Sequence, residues 1–389
     1  MPFDAGLAIG VQPSDPAADA RRLLALADTV YGRARPMPGG PGARDCSMDE
    51  LVPLLGAFLN SAGVPEPGGS CGVGEPYGRA VLEYFTAATG AAAADTDGYV
   101  TSSSGEAVLQ ALYTARRALP KACVYASDQA HPRIERACDL LRMELVTVKS
   151  LPEGTMDAED LRIQVLVRRR TRFGSGREPG VIVAATCGTA LRGAVDDIVA
   201  LRAAAAGPVY LHVDAASAGL VAAHGEPAPR WSFAHGADSL TIGGHQVLGL
   251  PVPAGIVLAR RALPPGMPGA GGPAATGRAL ACPRSSLAAL LLWVRLRSLG
   301  WSGVTALIRR CQDTAAYAVD RLEQAGADPG RFPGSLTVTF NRPPDHVVAK
   351  WRLACAGSVA RLVTAGPVTR QVVDELVDDV AAARQPAAA

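Results

Sequence analysis

Three polar side chains follow apolar runs within residues 209–261, where each could take part in chemistry. The run that begins at Val209 ends at Asp214, and a second run ends at His245 and Gln246. A carboxylate can hold a cationic group and an imidazole can move protons, whereas an amide offers only hydrogen bonds. Short buried strands with polar residues at their ends are typical of α/β enzymes. The stretch therefore predicts a ligand site at one edge of a sheet.

Earlier segments carry similar candidates after apolar runs. Ser103, Ser104 and Gly105 form a small-residue turn before a helical pattern, and such a turn offers N–H groups and a positive dipole end to a phosphate. Taken alone, a serine-rich turn is usually only a helix cap, and a lone histidine such as His131 is more often structural than catalytic. Strand ends are nevertheless predicted to converge at the positions of Ser103, His131, Thr189, Asp214 and His245.

The elements that position these residues alternate as strand, helix and strand. This alternation predicts a parallel sheet with right-handed crossovers. The chain has 389 residues, of which 48% are hydrophobic, so it can bury a large domain and a smaller one.

Composition also argues against several classes of partner. A net charge of +2 gives no case for nucleic acid or an acidic membrane surface. No run reaches the roughly 18 apolar residues of a membrane helix. Residues 1–20 lack the pattern of a signal peptide, so we expect a cytoplasmic protein. The six histidines are dispersed and predict no metal site.

Local patterns predict elements in the second half of the chain as well. Residues 287–299 and 302–325 read as two helices, and Thr369 to Ala383 as another. Strands are predicted at Leu336–Phe340, Trp351–Cys355 and Ala360–Val363. Asp196 and Asp197 look like paired carboxylates, but capping of the next helix is the favoured role.

Several of these segments together resemble one enzyme family. The segments are H-V-D-A-A at 212–216, Y-A-S-D-Q-A-H at 125–131 and C-G-T-A-L-R-G-A-V-D-D at 187–197. They resemble the group II pyridoxal-phosphate (PLP) amino-acid decarboxylases, and most closely the histidine and serine decarboxylase-like branch. The resemblance covers about residues 25–385.

This resemblance implies a fold and an assembly. It implies an α/β fold of the PLP-dependent transferase type (fold type I), with a mainly parallel seven-stranded sheet in residues 61–300. Residues 1–60 would form an N-terminal helical arm, and residues 301–389 a small α+β C-terminal domain. The family works as a homodimer with its sites at the interface, and we expect the same here.

The resemblance also assigns roles to the candidate residues. Asp214 would pair with the pyridine nitrogen of PLP, and the ring would lie between His131 and Ala216. Ser103, Ser104 and Gly105 fall in the phosphate loop, although the family has a threonine where this chain has Gly105. The remaining positions in or near the cofactor site are Thr189, His245 and Arg284, the last reaching across the dimer.

Gln246 is the main departure from the family. There the motif S-G-H-K supplies the lysine that binds PLP as a Schiff base, whereas residues 243–246 here read G-G-H-Q. The chain has only three lysines, Lys121, Lys149 and Lys350, and none lies in a matching motif. An amide is not nucleophilic and cannot replace the amine.

Three explanations for Gln246 stay open. The protein has left PLP-imine chemistry, as a repurposed enzyme or a non-catalytic binding or scaffold protein. Alternatively, the glutamine was engineered into an active, histidine-type decarboxylase. In the third, PLP still binds without a covalent link. Among these the sequence favours a repurposed enzyme acting on an amino acid or related small molecule, with PLP non-covalent if it binds at all.

Overall fold

The computed structural model describes most of the chain from residue 75 onward. The described residues are 21, 60–61, 75–173, 180–261, 279–280 and 284–384. The predicted helical arm over residues 1–60 lies outside them, apart from residues 21 and 60. All described residues except residue 21 belong to one compact unit, residues 37–389.

Residues 75–260 of the described chain contain seven strands and six α-helices. The strands are β1 (Thr96–Thr101), β2 (Cys123–Ser127), β3 (Leu145–Val148), β4 (Val181–Thr186), β5 (Val209–Ala215), β6 (Ser239–Gly243) and β7 (Gly255–Arg260). The helices are α1 (Glu75–Ala88), α2 (Ser104–Ala118), α3 (Arg133–Leu140), α4 (Ala158–Phe173), α5 (Ile198–Ala205) and α6 (Gly219–His224).

These strands form one seven-stranded sheet in the order β1-β7-β6-β5-β4-β2-β3. β7 runs antiparallel to both of its neighbours, and the other pairs are parallel. The predicted mainly parallel sheet of a fold type I protein is therefore confirmed. The central strands β4 and β5 are buried along their whole length, which explains their continuous apolar sequence.

Alternate residues of the central strands supply two cores, one on each face of the sheet. In β4, Val181 and Val183 join the larger core, whereas Ile182 and Ala184 join the smaller one with Tyr210 of β5. Successive side chains of a strand point to opposite faces, so both cores arise from one run of sequence.

The second part of the described chain begins with the long helix α7 (Leu287–Gln324). It consists of the two predicted helices, which meet at Gly300, where the backbone is not helical, with a φ of 61° and a ψ of 178°. α7 is long and apolar enough to cross a bilayer by composition alone. Its buried side chains, including Leu292 and Ile308 in the large core and Leu322 in the C-terminal core, identify it as a core helix of this fold.

A small antiparallel sheet completes the C-terminal part. Its elements are β8 (Gly330–Arg331), β9 (Thr337–Asn341), α8 (Asp345–Trp351), β10 (Ala354–Ala356), β11 (Val359–Val363) and α9 (Arg370–Ala382), and its strand order is β8-β9-β11-β10. The predicted strand from Trp351 to Cys355 is wrong over its first residues. Trp351 ends α8 and packs in the C-terminal core, and Arg352 turns the chain with a φ of 50°. The boundary between residues 300 and 301 stays a prediction.

Candidate functional site

The carboxyl end of the central strand β5 carries Asp214, whose side chain is only 5% exposed. Its Oδ1 accepts a hydrogen bond from the backbone N–H of Ala216 at 3.2 Å. Its backbone carbonyl accepts one from Cys187 at 2.9 Å, which joins the loops after β4 and β5. Asp214 is therefore held rigidly at the edge of the sheet where the site was predicted.

His131 belongs to the same cluster as Asp214. Its Nδ1 accepts a hydrogen bond from the backbone N–H of Arg133 at 3.1 Å. Burial lowers the pKa of His131, the positive charges of Arg133 and Arg136 lower it further, and the nearby charge of Asp214 opposes them. His131 is therefore a neutral imidazole near pH 7, and because its Nδ1 accepts a hydrogen bond, its proton lies on Nε2, which can donate.

Arg133 is a member of this cluster that the sequence did not single out. It is the first residue of α3, and its Nε lies 3.5 Å from Oδ2 of Asp214. Its side chain is 15% exposed, and its Nε is buried without a hydrogen-bond partner among the described residues. Its position two residues after a candidate site histidine was a usable signal, but sequence spacing alone does not give the direction of a side chain.

The predicted phosphate loop forms the start of α2. The hydroxyl of Ser103 accepts a hydrogen bond from the backbone N–H of Glu106 and so caps the helix. Ser104 is buried, Gly105 is exposed, and Glu106 accepts hydrogen bonds from the backbone N–H and hydroxyl of Ser102. The cap is real, while phosphate binding stays a prediction.

A cleft lies between the loops of the large sheet and the C-terminal sheet. Its volume is about 680 Å³, including its open mouth. Gln246 lines it, together with Thr189 and Ser217 from the large sheet and Thr337 and Arg361 from the C-terminal sheet. The cleft therefore contains the residue predicted to replace the family's lysine.

Among the described residues that line this cleft, Arg361 is the only one with a cationic side chain. It lies on β11, where Ala360 and Leu362 face the C-terminal core and Arg361 and Val363 line the cleft. Its Nε is buried and has no hydrogen-bond partner in the described part of the chain, and burial lowers its pKa. It is a partly desolvated cation that can receive an anionic group.

The remaining candidates take part in local structure. The hydroxyl of Thr189 accepts a hydrogen bond from the backbone N–H of Ala194 at 3.0 Å. Nδ1 of His245 lies 3.1 Å from the carbonyl oxygen of Ala254, so the ring supports the loop before β7. The backbone of Arg284 pairs with Ser61, and its side chain lies outside the described residues. Their roles toward a cofactor stay predictions.

Asp196 and Asp197 do not act as a pair. Asp197 caps α5 through hydrogen bonds from the backbone N–H groups of Val199 and Ala200, which is the predicted role. Asp196 instead is buried and accepts hydrogen bonds from Met156 and Thr186, both at 2.7 Å. Burial raises its pKa to about 6. Its two hydrogen bonds join the segment before α4 to the end of β4.

Removal of the Asp197 cap should destabilise the protein modestly. We expect Asp197→Ala to lower the free energy of unfolding by about 1 kcal/mol, because two N–H groups of α5 lose their acceptor. The control is Arg230→Ala, which removes the ion-pair partner of Asp197 but leaves the cap. Urea unfolding measures both, and equal losses in the two variants would contradict the assignment.

Two buried histidines predict a sensitivity to acid. Burial lowers the pKa of His212 to about 4, and that of His224 also to about 4. An unfolded histidine has a pKa near 6.5, so the unfolded chain binds protons between about pH 6.5 and 4 that the folded chain does not. The folded state therefore loses stability as the pH falls through this window.

The effect can be measured at His212, which lies on β5 with Nδ1 3.0 Å from the hydroxyl of Ser239. Protonation of His212 in the unfolded chain lowers the free energy of unfolding by at most about 3 kcal/mol at pH 4. We expect the loss in unfolding free energy between pH 7 and pH 4.5 to be about 2 kcal/mol smaller in His212→Asn than in the unmodified protein. An equal loss in both proteins would show that His212 does not titrate on unfolding.

Comparisons with known proteins agree with this architecture. The family model described as the pyridoxal-dependent decarboxylase conserved domain matches residues 85–263. A histidine decarboxylase of Mesorhizobium japonicum is 32% identical over 348 residues, covering 88% of this chain and 92% of that protein. A histidine decarboxylase of Pseudomonas fluorescens is 33% identical, covering 79% and 76%.

Solved structures share the fold over nearly the whole chain. L-methionine decarboxylase from Streptomyces sp. 590 is similar with a TM-score of 0.80 at 20% identity, covering 98% of this chain and 97% of that one. Sphingosine-1-phosphate lyase of Burkholderia pseudomallei has a TM-score of 0.76 at 17% identity, covering 98% and 94%. Similarity to histidine decarboxylases over almost nine-tenths of the sequence, on this shared fold, places the chain in the group II pyridoxal-phosphate-dependent decarboxylase family.

Proposed function

We propose that this member of the decarboxylase family does not attach pyridoxal phosphate as an imine and uses its cleft to bind an amino-acid-like acid. The observation that carries the proposal is the lining of the cleft, which holds Gln246 and the partly buried cation Arg361 but no lysine. The homodimer and the cytoplasmic location remain predictions from the sequence.

The positions of the three lysines support the loss of the imine. Lys121 precedes β2, at the amino ends of the parallel strands, whereas the site lies at their carboxyl ends. Lys149 is exposed after the edge strand β3. Lys350 pairs with Asp379 at 2.5 Å in the C-terminal part. None of the three lines the cleft, so none replaces the amine that a Schiff base requires.

The residues present do not fit a lysine-bound cofactor. Asp214 is a buried carboxylate and His131 an imidazole, as expected beside a pyridine ring. The start of α2 is a capped turn, as expected beside a phosphate. The amide of Gln246 is not nucleophilic, however, and Asp214 already faces the guanidinium of Arg133. PLP is the cofactor of the family, whereas in this chain we assign the chemistry to the protein's own side chains.

The cleft offers complementary groups to an amino acid. The Arg361 guanidinium would hold a carboxylate, the Gln246 amide oxygen would accept a hydrogen bond from an ammonium group, and Ser217 would add a hydroxyl. Apolar side chains would surround the rest of the ligand. Those that line the cleft are Val221, Val247, Leu336 and Val363.

This arrangement opposes decarboxylation. A carboxylate that leaves as carbon dioxide loses its charge in the transition state, so a cation that binds the carboxylate stabilises the ground state more. We therefore propose that Arg361 retains the acid rather than promoting loss of its carboxyl group. His131, neutral near pH 7 with its Nδ1 occupied by the Arg133 N–H, offers an Nε2–H donor at the strand ends.

The test is a binding screen of the twenty L-amino acids by calorimetry, beginning with histidine, the substrate named in the relatives' descriptions. Carbon dioxide release is measured in parallel with added pyridoxal phosphate. We expect at least one amino acid to bind, its decarboxylated amine to bind at least tenfold more weakly, and no carbon dioxide to be released. Release of carbon dioxide at about 1 s⁻¹ or faster, a rate typical of enzymes, would show that the protein is a working decarboxylase instead.

A further inference from the structure

The starting point is the charge of Asp214. The carboxylate is 5% exposed and lies at the end of a central strand. One oxygen, Oδ1, receives a backbone hydrogen bond, and the other, Oδ2, faces Nε of Arg133 at 3.5 Å. A buried carboxylate needs a cation or several hydrogen bonds to stay charged. In the described part of the chain, that cation is Arg133.

The cofactor pocket that the family resemblance predicts includes Asp214 and His131, and the backbone places Arg133 beside both. Its N–H donates to Nδ1 of His131, so the loop after β2 is closed at the first residue of α3. The side chain is 15% exposed, and its buried Nε makes no hydrogen bond to any residue that the structure describes. An arginine on a protein surface would normally extend into water. This one instead turns toward a carboxylate.

The same carboxylate is predicted to bind the protonated ring nitrogen of the family's cofactor. A second cation at Oδ2 would have to displace the guanidinium or lie against it, and two like charges close together repel. Displaced from Asp214, Arg133 would lose the one ion pair that it makes within the described residues.

We infer that Arg133 is an internal substitute for the pyridinium of pyridoxal phosphate, and that it excludes the cofactor from this pocket. The inference goes beyond the proposed function, since it concerns the residues at Asp214 and not the cleft at Gln246 and Arg361. Gln246 in the cleft and Arg133 at Asp214 are then two separate obstacles to the family's cofactor.

The test measures binding of pyridoxine 5′-phosphate by equilibrium dialysis. This probe carries an alcohol where pyridoxal phosphate has an aldehyde, so it cannot form imines with the three lysines. We expect weak binding to the unmodified protein and binding at least tenfold tighter to Arg133→Ser. The matched control is Arg136→Ser, which removes a cation from the same helix that also acts on His131 but does not pair with Asp214.

A double variant identifies the cause of any gain. In Arg133→Ser with Asp214→Asn, the ring nitrogen has no counter-charge, so the tighter binding should disappear. If Arg133→Ser does not fold, Arg133→Gln keeps a long neutral side chain and serves the same purpose. Equal binding of the probe to the unmodified protein and to a folded, neutral variant at position 133 would overturn the inference.

A second measurement uses pyridoxal phosphate and Gln246→Lys. After extensive dialysis, we expect the variant with Gln246→Lys and Arg133→Ser together to retain the cofactor with a visible absorption band. Gln246→Lys alone should retain it at least tenfold less well. Equal retention by the single and double variants would show that Arg133 does not exclude the cofactor. Neither measurement requires an amino acid, so each result is independent of the proposed function.

Discussion

Gly243→Ala should lower the free energy of unfolding by about 3 kcal/mol or more. A methyl group on Gly243 would lie 2.1 Å from the backbone carbonyl oxygen of Ala216. Backbone atoms cannot rotate away as a side chain can, so either β6 or the turn after β5 must move. The N–H of Ala216 in that turn also donates a hydrogen bond to Oδ1 of Asp214, so the site should distort together with the fold.

The matched control is the neighbouring glycine. A methyl group on Gly244 would meet the end of the Leu292 side chain at 2.9 Å and that of Ile256 at 3.2 Å. Flexible side-chain ends can shift, so Gly244→Ala should lose only about 1 kcal/mol. Urea unfolding compares the two variants. A difference of less than about 1 kcal/mol between them would mean that the turn at Ala216 yields more easily than its backbone contact indicates.

Arg361→Gln should weaken binding of the amino acid identified in the screen by about 30-fold or more. Removal of one partner from a buried, hydrogen-bonded charge pair typically loses 2–5 kcal/mol, because the other charge stays desolvated. The ligand's carboxylate would face a neutral amide in place of a guanidinium. Titration calorimetry gives the affinities, and Arg361→Lys should recover part of the loss by restoring the charge without the planar geometry.

Two controls accompany that experiment. Arg342→Gln removes an exposed cation from the same C-terminal part, where it pairs with Asp345, and should leave the affinity unchanged. The decarboxylated amine should bind the unmodified protein and Arg361→Gln equally weakly. If Arg361→Gln binds the amino acid as tightly as the unmodified protein, the cleft does not recognise a carboxylate through Arg361.

The sequence allowed the positions of the candidate residues in the sheet to be predicted, because each of them follows an apolar run that forms a strand. Asp214 and His131 come from different strands, yet the charge of Asp214 acts on His131, as convergence at one sheet edge predicts. The capping role of Asp197 was also predictable, since a carboxylate before a helical pattern has few other local partners.

Other features depend on contacts that local patterns do not contain. Whether Arg133 points to water or to Asp214 depends on where α3 begins relative to β5. Alternation along β11 separates Arg361 and Val363 from Leu362, but only packing of the C-terminal sheet decides which face meets the cleft. The strand predicted from Trp351 was also wrong because local patterns are not sufficient. A short apolar run is compatible with the end of a helix as well as with a strand.

The antiparallel strand β7 has a consequence for folding during synthesis on the ribosome. Within the described residues, β1 pairs with β7 alone, and the closest pair in sequence joins residues 101 and 255, which are 154 residues apart. The hydrogen-bonding edge of β1 therefore emerges long before its partner is synthesised. Unpaired strand edges favour association between chains. We expect nascent chains stalled before residue 255 to bind chaperones far more than nascent chains whose residue 260 has already left the ribosome.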